Sequence, residues 1–370
     1  IAITGATSVS LGGNISTNDA SGNTVTVTGS TVDTNGITID TNNTNNDGNI
    51  TANTNTFPDA VTIDAGGAVM QMTPITTNAV IEAARTNSGN ISEDVFYDVD
   101  LVQVTSAAHV LIGSGSHTGN IFFGNDSAAL VMPDGSNVVL QNSSSGQILL
   151  SSDYTSENGF LTLTSGNGVT LQDLSNNVIA TINLGSGALT VTGAATLADA
   201  SVNITATGGI SFSSTIDADN ASSNDRTLTL NSGTGNTISV AGNIGASQAL
   251  AGLAITQSDG ATFSGTVDVS DSNSGTIIIT DTENGSDVTF AGAVTTDTLD
   301  LGQAGYDLIF NGGGTFTNAV TFDNTGTLNL GNAAADSFTF NGGLTETTTG
   351  TVTLASAISS SNDAISFGAV

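Results

Sequence analysis

Three 18-residue stretches of this chain align 50 residues apart without a gap. Thr227–Ile244 reads TLTLNSGTGNTISVAGNI, Ile277–Val294 reads IIITDTENGSDVTFAGAV and Thr327–Leu344 reads TLNLGNAAADSFTFNGGL. Leu228, Ile278 and Leu328 fall in line, as do Ile238, Val288 and Phe338, and Val240, Phe290 and Phe340. Each copy then carries Gly242, Gly292 or Gly342 and an apolar residue two positions later. A chain that repeats itself at such a period stacks its units and grows its core along one axis.

Within a copy the apolar residues alternate with Thr, Ser and Asn, so Leu228/Leu230 and Phe338/Phe340 belong on one face of a strand. The glycine that follows is read as allowing a backbone bend. A weaker copy spans Thr181–Ala195, and half-units recur as Phe212 with Ile216, Phe263 with Val267, and Phe310 with Phe316. The step is about 25 residues, a plausible single coil with two or three short strands. The expected fold is therefore all-β: a parallel β-helix, or β-solenoid, of about 25 residues per coil with a 50-residue double repeat in the C-terminal half.

Three segments are expected. Residues 1–57 form an Asn/Thr-rich β-repeat, in which Val25/Val27, Ile37/Ile39, Ile50 and Val61/Ile63 suggest two strands per coil. The tract Asp40–Asn55 fits either a loop or stacked Asn ladders. Residues 58–134 form an irregular or decorated segment containing Asn78–Arg85 (NAVIEAAR), which reads as helical. Residues 135–370 form the regular solenoid, and Ile365–Val370 reads as the start of a further unit, so the native polypeptide is expected to continue. The chain opens at Ile1 without a leader pattern, as a processed or internal fragment would.

Charge narrows the functions. The formal charge is −31, and Arg85 and Arg226 are the only Lys or Arg residues. Phosphate backbones and anionic membranes both need cations from a binding protein, so nucleic acid and membrane surfaces are not expected partners. No apolar run approaches the ~18 residues of a membrane-spanning helix. Without Cys or Lys, disulfides, thiolate sites, P-loops and Schiff-base chemistry are excluded.

The units resemble the repeats of large bacterial surface proteins: filamentous-haemagglutinin-like adhesins, autotransporter passengers and cell-envelope strand-repeat proteins. The Thr/Leu-rich strands, Gly/Asn turns and apolar-Ala-Gly-x-apolar words over Gly135–Val370 carry the resemblance. It implies a right-handed parallel β-helix, export and a surface role, and it transfers no binding residue.

Acidic turns are the main candidate sites. Asp281, Glu283 and Asp287 lie on one glycine-containing turn, and Asp217, Asp219 and Asp225 form a similar set. Calcium takes six to eight hard oxygens, which such turns offer, so calcium is the one cofactor the sequence points to; the competing reading is a solvated turn. His109 and His117, with Asp98 or Asp100, lack a nucleophile elbow and read as ordinary surface or packed histidines. Sequons at Asn14, Asn42, Asn49, Asn90, Asn125, Asn142, Asn203, Asn220 and Asn284 match what chance supplies in so Asn- and Thr-rich a chain. Tyr97, Tyr154 and Tyr306 are too scattered to form a sugar-binding platform.

The expected role is non-enzymatic and extracellular: a rod, filament or S-layer-like lattice element whose partners are further copies of itself and cell-surface glycans. The alternatives are an adhesin whose stalk displays a binding segment and, further off, a polysaccharide-active β-helix enzyme.

Overall fold

The computed structural model describes residues 1–17, 24–33, 37–41, 49–54, 56–57, 61–65, 68–73, 80–83, 95–97, 102–106, 109–124, 129–132, 135–172, 179–219, 226–271, 274–347 and 350–368. Among them there is no α-helix; short strands pair in parallel with strands one coil away, which is a β-solenoid. The chain divides into two compact units, Ile1–Thr170 with Leu174–Asn176, and Leu171–Asp173 with Asn177–Val370.

In the first unit, face 1 runs Ala2–Thr4, Val25–Gly29, Ile50–Thr54, Val69–Thr73, His109–Gly113, Val138–Gln141 and Leu161–Thr164, each paired in parallel with the next. Face 3 begins Ile15–Ser16, Ile37–Asp40, Val61–Asp64 and Val102–Ser106. Three strands make each coil rather than two. The strand missing from the sequence reading is Thr31–Asp33, which pairs with Ser8–Ser10 and presents one buried apolar residue, Val32.

The helical expectation at Asn78–Arg85 is corrected over residues 80–83, the others of that word lying outside the described residues. Ile81–Ala83 is a strand between Val95–Tyr97 and Ile121–Phe123, with Ile81 and Ala83 buried. Residues two apart share a strand face, and a short apolar word fits either period until neighbouring strands take up its backbone groups. Val95–Tyr97 also breaks the stacking order: it follows Ile81–Ala83 in sequence but lies between it and Thr56–Phe57. Face 2 thus gains a rung that faces 1 and 3 lack, and Met70 pairs with Val110, 40 residues on.

In the second unit, face 1 runs Leu189–Thr192, Ile210–Phe212, Ile238–Val240, Ala261–Phe263, Asp287–Phe290, Asp307–Phe310, Leu328–Leu330 and Val352–Leu354. Paired residues lie 20 to 28 positions apart, from Val288–Leu308 to Ile210–Ile238. Coil spacing averages about 24 residues. Val191, Phe212, Val240, Phe263, Phe290, Phe310 and Leu330 form one inward ladder, each at most 1 % exposed. Its rings stack where they are adjacent: Phe263–Phe290 and Phe290–Phe310 both have centroids 5.0 Å apart. That spacing is close to the strand separation of ~4.8 Å, so each ring follows its own rung.

The 50-residue alignment takes on a second meaning. From Ile238 to Val288 it equals two coils, through Ala261. From Val288 two coils reach Leu328 in 40 residues, through Leu308. The third copy is therefore turned by one face. Its Ser337–Phe340 lies on face 2, paired with Gly314–Phe316, whereas the corresponding Ile238–Val240 and Asp287–Phe290 lie on face 1. Ile278 does not share the place of Leu228 either; Leu228 pairs with Leu253 and Leu253 with Ile277, leaving Ile278 half-buried on the outside.

The glycines of the repeat words are explained by close approach. Gly242, Gly265, Gly292 and Gly312 occupy the corner after face 1 on successive coils, and none has a positive φ. A Cβ on Gly265 would meet Gly242, one on Gly292 would meet Gly265, and one on Gly312 would meet Gly292. The bend read from the sequence is, at these positions, a contact too tight for any side chain.

Candidate functional site

Polar side chains concentrate at the corners, where strands end and backbone N–H groups lose their regular partners. In the first unit the amide oxygens of Asn14, Asn49, Asn120 and Asn137 accept the backbone N–H groups of Thr38, Val69, Gln147 and Phe160 at 2.9–3.1 Å. In the second unit Asn243 and Asn284 accept from Thr266 and Gly305 at 2.9 and 3.0 Å, and Asp307 from Thr327 at 2.6 Å. Partners lie 20 to 27 residues apart, so each bond joins one coil to the next. Of the Asp40–Asn55 tract, residues 42–48 lie outside the described residues, Asn49 makes one of these bonds, and Ile50–Thr54 is a strand.

The acidic candidates have separate tasks. The Asp217 Oδ1 accepts the N–H of Ser247 at 2.8 Å and of Gln248 at 3.3 Å. Arg226 donates Nε to Asp219 Oδ1 at 2.9 Å and Nη2 to Oδ2 at 3.0 Å, a two-point fork whose oxygen Oδ2 also accepts the Asp199 N–H. Burial pushes the Asp219 carboxyl up, but the Arg226 hydrogen bond, the Asp199 amide and the guanidinium charge outweigh it and hold it below the usual range. Asp225 lies outside the described residues. Asp281, Glu283 and Asp287 are exposed on their turn, and Asp287 has Asp307 beside it on the next rung. No group of three or more His, Asp or Glu side chains with metal-holding geometry occurs among the described residues.

Of the two histidines, His117 is the packed one. It is 1 % exposed, and neither ring nitrogen has a hydrogen-bond partner. Its main chain is fixed, its N–H donating to Ser114 and its carbonyl accepting from Ser143. Burial lowers its affinity for a proton. Asp98 and Asp100, its imagined triad partners, lie outside the described residues.

Other candidates sort by burial. Asn142 is buried, and its Nδ2 donates to the Gly119 carbonyl, so that sequon is closed to a glycan. Asn14, Asn49 and Asn284 are exposed, Asn203 is half-buried, and Asn42, Asn90, Asn125 and Asn220 lie outside the described residues. Tyr154 and Tyr306 are core residues at 0 % exposure, and burial raises both phenols. The corner Asn bonds and the Arg226 fork were missed by sequence reasoning, whereas the burial of His117 falls within its reading as a surface or packed histidine. The Asn bonds left one signal: Asn14, Asn49, Asn120 and Asn137 each stand just before a strand-forming apolar word, and Asn243 stands before the bridging Ile244.

No helix among the described residues is long and apolar enough to cross a membrane. Comparison with known families, curated proteins and solved structures finds no match, so the stacked-coil fold is what places this chain among β-solenoid repeat proteins.

Proposed function

We propose that the chain is a non-enzymatic structural element of an extracellular or cell-surface assembly, a rod, filament or lattice unit. The observation that carries this reading is the corner bonding. Seven Asn and Asp side chains hold the backbone of a neighbouring coil, which engages their polar atoms in cohesion along the stack. Parallel strand pairing and stacked inward rings add to the same axial cohesion.

Calcium belongs to this reading as a counterion for exposed carboxylates such as Asp281, Glu283 and Asp287. Electron microscopy of native material with calcium, and again after chelation, tests both parts. Ordered filaments or sheets that dissolve on chelation support them. Turnover in a polysaccharide-degradation screen overturns the non-enzymatic reading. Calorimetry without calcium binding in the micromolar to millimolar range removes the ion alone.

A second reading, a displayed adhesive segment that contacts surface glycans, draws on the 40-residue coil between Met70 and Val110 and its additional rung. Excising residues 58–133 then abolishes attachment to cells while the remaining coils still fold. Under the first reading attachment persists.

A further inference from the structure

We propose that face 1 of the first unit is a lateral contact for a second copy of this chain, centred on Leu111 and Val139. The proposal rests on the structural reading above and names the surface through which it operates.

Leu111 pairs with Val139 on adjacent rungs, and both point outward between buried neighbours. The same column carries Thr26, Thr51 and Gln71 on the preceding rungs and Thr162 on the following one. The apolar pair thus interrupts a polar column. Beside it the rings of His109 and Phe160 meet with centroids 6.2 Å apart. Asn137 lies in the same column with its oxygen turned to the Phe160 N–H, and Val69 extends the patch by one rung. All five apolar or aromatic residues are half-buried.

Charge identifies the occupant. None of the seven strands of this face contains Asp or Glu. By contrast, Thr31–Asp33, Ile37–Asp40 and Val61–Asp64 elsewhere in the unit all end in Asp, and face 1 of the second unit carries Asp287 and Asp307. In a chain of charge −31, two copies repel wherever carboxylates meet, and this face, whose strands carry none, lowers that cost, with Glu157 on the turn before Phe160 the exposed carboxylate beside it. An anionic lipid surface would need cations that these strands do not carry.

A two-fold axis parallel to the strands, running between the two central rungs, sets Leu111 of each copy opposite Val139 of the other. Within this face the axis sets four rungs, Val69–Thr73 to Leu161–Thr164, against their copies, and at ~4.8 Å per rung and roughly 15 Å per strand the footprint is well below the ~800 Å² per partner of a standard interface. The contact is therefore weak singly and effective when repeated along an assembly.

Because the chain has no cysteine, introduced thiols report contacts cleanly. Leu111→Cys and Val139→Cys chains are mixed at high concentration and oxidised with copper phenanthroline. Thr289→Cys and Ile309→Cys serve as the control pair on the second unit, and sedimentation velocity follows the parent and a Leu111→Asp/Val139→Asp variant. The expected result is a disulfide-linked dimer several-fold more abundant in the Leu111/Val139 mixture than with either variant alone or with the control. The double Asp variant should associate at least tenfold more weakly. Association that persists in the Asp variant, with cross-links elsewhere, overturns this face and leaves the structural reading standing. A parent chain that stays monomeric at every concentration, with no cross-links in either pair, overturns both.

Discussion

The ring of Phe290 lies 8° from parallel to the ring of Phe310, one coil further on, with centroids 5.0 Å apart. Both are fully buried, and Phe263 continues the stack on the other side of Phe290. Replacing Phe290 by Ala removes the middle ring of three, so a cost of about 3–5 kcal/mol is expected. Phe290→Leu keeps most of the volume and should cost less than half as much, since Leu330 already occupies this ladder two rungs beyond. Urea denaturation followed by circular dichroism measures both, and equal losses would assign the cost to the ring stack rather than to the volume it fills.

Gly292 gives a sharper test. Ala is the smallest possible addition, yet its Cβ would meet the Gly265 backbone one coil away. The expected loss for Gly292→Ala is about 1–3 kcal/mol, typical of overpacking. Gly235 has open space around it, so Gly235→Ala should be close to neutral. A neutral result at Gly292 would mean the coils can part at this corner at little cost.

The Asp219–Arg226 fork responds to acid. The Asp219 carboxyl binds its proton more weakly in the folded chain than in the unfolded one. Its contribution is therefore complete above the unfolded value of about 3.9 and is lost as pH falls below it. Asp219→Asn should destabilise the chain near neutrality and flatten the part of the pH–stability curve below about 4. An unchanged curve would remove the fork from the acid response.

His117 acts in a different window. In the folded chain its imidazole resists protonation, whereas the unfolded chain takes a proton near pH 6.5. Stability should be flat above that pH and fall as pH drops through it, because the unfolded state then binds the additional proton. Neither its own turn, 114–120, nor the adjoining turn, 142–147, contains an acidic side chain to compensate the charge. His117→Phe should abolish the fall between pH 7 and 5, measured as the urea midpoint at each pH, and a persistent fall would assign it to another group.

The fold class was legible because buried and exposed residues alternate so regularly. Leu228/Leu230, Phe263, Phe310 and Phe338/Phe340 are all inward, as their spacing indicated. Face 2 was harder to read. Among the described side chains Thr31–Asp33 contributes Val32 to the core, and at Ile244 face 2 narrows to isolated bridges with Ile216 and Val267. A single apolar residue has no period. Ile81–Ala83 was misread because its strand character comes from two neighbours distant in sequence. The acidic turns could be found, but not what Asp217 and Asp219 bind, since their partners sit 30, 20 and 7 residues away.

The word shared by Thr227–Ile244 and Thr327–Leu344 serves faces 3 and 1 in one place and faces 1 and 2 in the other. Heredity in such a chain need not copy whole coils. A duplicated fragment of DNA can land a third of a turn out of phase and still encode a buried strand, because the three sides ask for the same alternation. Gene length can therefore drift by part-coils as freely as by whole ones, and relatives of this chain should differ by insertions that are not multiples of 24 residues.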